Sequence, residues 1–144
     1  MVRKMKISDA TGVAELEKEC FSEPWSERSL MEYAQKKDAL FLVYEKEDCI
    51  AGYAGMYYVY PEAYITNVAV TKSCRGRGYA KEILKQMFEL SKYSGIERCT
   101  LEVRKSNKAA ISLYEGLGFK MAGERKNFYD NPTENAIIMW KDYQ

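Results

Sequence analysis

The sequence predicts an α/β (α+β) domain, in which a central mixed, mostly antiparallel sheet of about seven strands is flanked by about four helices. Three observations predict this. Apolar runs with a strand's alternation are interrupted by stretches with helical spacing, in the order β-α-α-β-β-β-α-β-α-β-β. Residues 40–59 and the segment after Phe119 each read as antiparallel pairs joined by a polar turn. Around Asn67 to Met87 a short apolar strand runs through a glycine-containing loop directly into a helix.

In chain order, residues 2–7 alternate weakly and are expected as the first strand, after which Ser8 or Asp9 caps a helix carrying Val13, Leu16 and Cys20. Phe21-Ser22-Glu23-Pro24-Trp25-Ser26 breaks that helix, and Ser26 is placed to cap a second with Leu30, Met31 and Ala34. Trp25 has two readings, a lid over the core or a substrate contact. Residues 40–45 and 49–59 form a hairpin about Lys46-Glu47-Asp48. Gly52 and Gly55 in its second arm predict a bulge or a close backbone approach, and Pro61 separates it from a strand over 64–70. Tyr53, Tyr57, Tyr58, Tyr60 and Tyr64 suit a half-buried face or an aromatic-lined groove.

The helix from about Gly78 closes at Gly95, and residues 98–103 follow as a strand with Cys99, Leu101 and Val103 on one face and Thr100 and Glu102 on the other. Glu102 is thus a mid-strand carboxylate, either chemically useful or a solvated or salt-bridged edge residue. Ser106-Asn107 caps a last helix through Leu117, closed by Gly118. Asn107 and Tyr114 lie two turns apart on it, so both can face one groove at an axial separation of roughly 10 Å. Residues 119–125 and 135–140 read as a closing antiparallel pair joined by the polar loop 126–133. Without repeat, linker or low-complexity tract, residues 1–144 read as one domain.

The loop Arg75-Gly76-Arg77-Gly78-Tyr79-Ala80 has the makings of a phosphate site. It delivers free amides at a helix N-terminus, worth roughly half a positive charge, beside two arginines. The dinucleotide fingerprint fails because its third glycine position is Lys81, and the triphosphate loop fails because the chain has no Gly-Lys pair. Spacing alone leaves a phosphate cradle and a plain turn with solvated arginines both open.

A net charge of +1 gives no global field for nucleic acid or an anionic membrane. No apolar run approaches the ~20 residues that span a bilayer, and none follows the basic N-terminus as in a signal peptide. The expectation is a soluble, cytoplasmic protein without direct nucleic-acid or membrane partners. Cys20, Cys49, Cys74 and Cys99 are widely spaced and the chain has no histidine, which removes the usual zinc patterns and histidine triads. No metal is expected. Cys49 and Cys99 read as packing residues, and a reactive Cys74 lacks a visible base.

Together, the element order and Arg75-x-x-Gly78-x-Ala80 resemble the GCN5-related N-acetyltransferase (GNAT) superfamily over essentially the whole chain, whose diagnostic element is [Gln/Arg]-x-x-Gly-x-[Gly/Ala]. The resemblance implies acetyl-CoA as cosubstrate, with the amides of Arg75, Gly76, Arg77, Gly78, Tyr79 and Ala80 cradling its pyrophosphate. It also implies a sheet splayed between its fourth and fifth strands, leaving the backbone of Val68, Ala69 and Val70 for the pantetheine arm and acetyl group. A narrower set of blocks resembles the bacterial RimI branch, which acetylates the N-terminal alanine of a small-subunit ribosomal protein. These are Phe21 and Pro24-Trp25-Ser26, Asn67-Val68-Ala69-Val70, residues 101–119, Arg125-Lys126-Asn127-Phe128-Tyr129 and residues 135–140. By that match Glu102 carries over as general base, Tyr114 as general acid, and Asn107 and Tyr114 as cofactor contacts. The implied partner is a protein N-terminus, probed by a monomer or weak dimer. It would lie between the Pro24-Trp25 loop and the loop before the last strand, lined by Trp25, Tyr64 and Tyr129, with Glu62 or Glu23 attracting its ammonium.

Such transfer needs a neutral amine, an oxyanion donor and a proton source for the thiolate. An α-amine of pKa about 7.8 is roughly one third neutral at pH 7.5, whereas a lysine is neutral about once in a thousand. A weak base acting through water therefore suffices, as Glu102 would be. A tyrosine of pKa near 10 is uphill by about 2 kcal/mol as donor to a thiolate of pKa about 8.5, yet can hydrogen-bond the sulfur charge as it develops. Two other classes compete: acetylation of a small amine or a lysine side chain, and a non-catalytic acyl-CoA-binding module.

Overall fold

The computed structural model describes residues 1–143. Its elements are β1 (Val2–Lys4), α1 (Ala10–Cys20), α2 (Glu27–Ala34), β2 (Ala39–Lys46), β3 (Cys49–Val59), β4 (Glu62–Val70), α3 (Tyr79–Tyr93), β5 (Arg98–Arg104), α4 (Lys108–Gly116), β6 (Lys120–Tyr129) and β7 (Glu134–Asp142). The strands form one seven-stranded sheet in the order β1-β2-β3-β4-β5-β7-β6. Every pairing is antiparallel except β4–β5, which is parallel. The mixed, mostly antiparallel sheet with four helices is the architecture that the element order predicts.

Both faces of the inner strands are covered, and so β2 reads as a continuous apolar run. Phe41 and Val43 join Val13, Leu16, Leu30 and Tyr53 under α1 and α2. Leu40 and Leu42 point the other way, onto Ile83, Leu84 and Met87 of α3 and, further along, Tyr114 and Leu117. Each such side chain contributes about 1.5–3 kcal/mol on burial. Ser26 caps α2 by accepting from the Ser29 amide at 3.1 Å.

The feature that makes a site is the divergence of β4 from β5. Their ladder covers only Glu62–Arg98, Ala63–Cys99 and Tyr64–Thr100. Immediately beyond it, β3 pairs Met56 with Ile65 but Gly55 with Asn67, so Thr66 is an extra, unpaired residue. A bulge of this kind bends its strand. Gly55 permits it: a Cβ there would stand 2.8 Å from the Phe41 ring and 2.9 Å from Thr66 Oγ1. The close approach expected at Gly55 is therefore present, and the edge of β4 after Tyr64 has no β5 partner.

Several boundaries differ from the sequence reading. β1 stops at Lys4 because residues 7–9 form a 3₁₀ turn, in which the Asp9 carboxylate accepts from the Lys6 amide at 2.7 Å and from Arg3 at 2.7 and 2.9 Å. Asp9 precedes α1 without capping it by a side-chain bond. β4 starts at Glu62, not Tyr64, because the turn at Pro61 is tight enough for Val59 to pair with Glu62. β6 runs on to Tyr129 through a bulge between Arg125 and Tyr129, so half of the expected loop, 126–129, is strand. Cys49 is exposed beside the Glu47-Asp48 turn instead of packed, whereas Cys99 is buried. Among the described residues no helix is long and apolar enough to cross a membrane.

Candidate active site

Two cavities enter the gap between β4 and β5 from opposite sides. One, of about 440 Å³, is lined by the loop after α1, by Ile65 to Val68, by Leu101 to Arg104, and by Phe128, Tyr129 and Asp130. The other, of about 590 Å³, is lined by Val68, Ala69 and Val70, by the glycine loop, and by one side of α4. They share Cys20, Phe21, Val68, Asn107, Ala110 and Tyr114, so they are two mouths of one cleft.

The glycine loop builds the second mouth. Gly76 and Gly78 have φ of +79° and +81°, and a Cβ on either would meet nothing within 4 Å. Glycine is needed there for conformation, not for lack of space. Gly78 is the residue from which α3 starts. The amides of Gly76, Arg77 and Gly78 donate to no acceptor among the described residues, nor do the first-turn amides of α3 have helical partners. Arg75 and Lys81 put two cations in this lining, which holds no carboxylate. Arg75 folds back onto the strand, its Nε donating to the Val70 carbonyl at 3.0 Å. Arg77 is the one residue of the 75–80 run outside the lining, and Lys81, which the sequence reading passed over as a contact, is within it.

Glu102 and Tyr114 stand near the join. Alternation along β5 sends Cys99, Leu101 and Val103 into the α3 core and Glu102 to the opposite face. β5 keeps its β7 partner at Glu102, opposite Ile138, but has lost β4 after Thr100, so Glu102 stands mid-strand on the side that opens into the gap. Its side chain is only 6% exposed; Oε2 forms an ion pair with Arg125 Nε at 2.6 Å, and buried Oε1 has no partner among the described residues. Burial pushes the Glu102 carboxyl above its ordinary value while the Arg125 guanidinium opposes the rise. Tyr114 is buried by Phe119 with its ring 5.6 Å away, and burial raises its phenol well above the ordinary value. Its hydroxyl makes no hydrogen bond among the described residues and the residue lines both mouths.

Asn107 caps α4, its Oδ1 accepting from the Ala110 amide at 3.1 Å, which leaves its Nδ2 donor free toward the cleft. Of the predicted acceptor contacts, Trp25 and Tyr129 line the first mouth, together with Glu23 and Asp130. Tyr129 lies under the Arg104 guanidinium at 4.5 Å; burial and the Glu102 charge push its phenol up to about 12. Arg104 donates to the carbonyls of Pro132 (2.9 Å) and Asp130 (2.8 Å), which fixes the loop carrying them. Glu62 and Tyr64 are not brought to the cleft. They sit where β4 and β5 are still paired, Glu62 in a 3.4 Å ion pair with Arg98 and Tyr64 against Tyr57. The sequence reading also missed Arg125, Asn67 and Phe21 as site residues. All three stood in the quoted blocks, Phe21 before Pro24-Trp25-Ser26, Asn67 at the head of Asn67-Val68-Ala69-Val70 and Arg125 at the head of 125–129, but without a role assigned.

The two mouths differ in charge: cations and free amides on one side, the carboxylates Glu23, Glu102 and Asp130 with Arg104 on the other. One suits a phosphorylated ligand, the other an ammonium group. The model of the Acetyltransferase (GNAT) family matches residues 10–119. A Bacillus subtilis protein provisionally named [ribosomal protein bS18]-alanine N-acetyltransferase is 38% identical over 140 residues, 96% of this chain and 93% of the relative. The [ribosomal protein bS18]-alanine N-acetyltransferase of Haemophilus ducreyi is 34% identical over 142 residues, 96% of this chain and 97% of its own. The crystal structure of the ribosomal-protein-S18-alanine N-acetyltransferase from Escherichia coli superposes with a TM-score of 0.90 at 30% identity, covering 99% of this chain and 92% of that one.

Proposed function

The chain belongs to the GNAT acetyltransferase family, and from that premise we propose that it acetylates the N-terminal α-amine of a protein, an alanine of a small-subunit ribosomal protein. The observation that carries the reading is the two-mouthed cleft, whose halves meet at Val68, Asn107 and Tyr114 and carry opposite charge. The names of relatives 34–38% identical over nearly the whole chain support the choice of acceptor.

Acetyl-CoA, when bound, supplies a thioester acyl group, and the residues of the second mouth fit it. The free amides of Gly76, Arg77 and Gly78, with Arg75 and Lys81, match a pyrophosphate. The unpaired edge of Val68, Ala69 and Val70 matches an amide-bearing arm, and an N–H of that edge serves as oxyanion donor. Asn107 Nδ2 adds a donor.

On the opposite side, Glu23 and Asp130 attract the incoming ammonium and Trp25 and Tyr129 wall its path. Glu102 accepts the proton that the amine loses on attack, through a water at Oε1. Its burial lifts its pKa toward the working range, which strengthens it as a base, while Arg125 keeps it ionised. Tyr114 donates a hydrogen bond to the departing sulfur. With its phenol raised by burial it remains protonated across the physiological range, so the donor is always present and is used only as negative charge forms.

The test is release of CoA thiol from acetyl-CoA with four acceptors: an Ala-start peptide, a Met-start peptide, free lysine and a polyamine. Turnover should be fastest with the Ala-start peptide. Activity confined to lysine and the polyamine would make the acceptor assignment wrong.

A further inference from the structure

Glu17 of α1 is fully buried, yet its carboxylate is ringed by donors from three other parts of the chain. Oε1 accepts from the Trp25 amide at 2.8 Å, and Oε2 accepts from Asn67 Nδ2 at 2.8 Å and from the Tyr53 hydroxyl. Trp25 lies in the loop between α1 and α2, Asn67 on β4 just past the bulge, and Tyr53 on β3. Trp25 and Asn67 both line the first mouth of the cleft, while Glu17 and Tyr53 stand behind it. An aromatic layer braces the same loop from its apolar side: the Trp25 ring lies 4.9 Å from Tyr33 and 6.3 Å from Phe41, which is stacked on Tyr53 at 6.4 Å. Nothing in the proposed chemistry needs a carboxylate at residue 17, and an apolar residue would bury there at lower cost. What the carboxylate does is tie two facing walls of the mouth to one point.

We propose that Glu17 is a positioning residue for the acceptor, holding the Trp25 loop at a fixed distance from the splayed strand at Asn67 and so setting the width of the acceptor mouth. This rests on the reading of that mouth as the amine's entry. The cofactor mouth does not depend on the tether. The segment leading into its glycine loop is joined to α1 separately, through Glu19, which accepts from the Lys72 amide at 2.6 Å and from Thr71. A failed tether therefore widens one mouth and leaves the other as it was.

The experiment uses the full chain carrying Trp140→Phe, so that Trp25 is the sole tryptophan. Glu17→Gln keeps the shape but turns an NH₂ toward donors. It should raise the KM of the Ala-start peptide by roughly tenfold or more, the order expected for loss of a charge-assisted bond. The KM of acetyl-CoA and kcat should stay within about twofold to threefold, and acrylamide should quench Trp25 severalfold more efficiently. Tyr53→Phe removes one donor, leaves the carboxylate in place, and should move the same quantities less far; it decides the matter if Glu17→Gln does not fold. Equal rises in both KM values, or unchanged quenching in a folded variant, overturn the proposal. So does increased quenching without a change in peptide KM, which makes the tether purely structural. If the unsubstituted Ala-start peptide is not an acceptor of the wild type, the functional reading fails instead. The same comparison then runs with whichever amine of the panel turns over, and Trp25 quenching still reports the tether.

Discussion

Replacing Arg125 with Met should raise the pH at which Glu102, the proposed base, is protonated. In the folded protein the Arg125 Nε to Glu102 Oε2 distance is 2.6 Å, and the carboxylate side chain is 6% exposed against 57% for the arginine. Two unit charges about 4 Å apart interact by about 4 kcal/mol at an effective dielectric near 20. Solvent around the exposed guanidinium screens this toward the ~1.5–3 kcal/mol of a hydrogen bond to a charged group, or roughly 1–2 pKa units. The sign is fixed: the cation favours ionised Glu102, so its removal adds to the rise that burial already causes. The carboxylate then protonates at higher pH. The assay is the pH dependence of kcat/KM with the Ala-start peptide. The peptide's own amine, of pKa about 7.8, imposes a slope of one on the acid limb. Protonation of Glu102 appears lower down, where the slope steepens to two. That break should rise by about 1–2 units in Arg125→Met and return part of the way in Arg125→Lys. A break at the same pH in all three proteins would refute Arg125 as its electrostatic partner, and no break at all would refute Glu102 as the base.

Three further outcomes are expected. Tyr114→Phe should lower kcat by about tenfold or more while CoA affinity measured by calorimetry changes little, because a single donor to a developing charge is worth about 2 kcal/mol or more; an unchanged kcat would return Tyr114 to a packing role. Gly78→Val forces a β-branched residue to φ near +81°. The strain of roughly 1–2 kcal/mol should displace the amide cradle and weaken CoA binding several-fold, with the thermal midpoint shifted by only a few degrees. Arg3 holds the Asp9 carboxyl below its ordinary value, chiefly through their hydrogen bonds. That stabilisation is complete above the unfolded pKa of about 3.9 and is lost as pH falls through the lower folded value. Asp9→Asn should therefore unfold at lower denaturant concentration at pH 7, and the difference from wild type should narrow in acid.

Capping and periodicity are local, and they carried most of the element order. Ser26, Asn107 and Gly78 each sit at the helix starts that their residue types announce, and the alternation 99–103 puts Glu102 on the face away from the core. The loop 75–80 was legible for the same reason, since positive φ at two glycines and amides at a helix start belong to one short segment. Boundaries slipped where a distant partner decided them. Residues 126–133 look like loop, yet β6 runs to Tyr129 because β7 pairs with Arg125 and again with Tyr129 across a bulge.

What the sequence by itself determined is therefore the set of elements, the glycine turn at a helix start, and the candidacy of Glu102, Asn107 and Tyr114. Only the tertiary structure decided which side chains share the cleft. Glu62 and Tyr64 precede the bulge at Thr66, on the part of β4 still paired with β5, and are excluded by a few residues. Arg125 reaches Glu102 because β7 separates their strands and presents the small Ala136 opposite Arg125. Glu17, Trp25, Tyr53 and Asn67 converge from four places in the chain. The physical reason is the same in each case. Hydrogen-bonding spacing within a helix or strand repeats over a few residues and leaves a pattern, whereas strand order, register and a single unpaired residue join positions tens of residues apart and leave none.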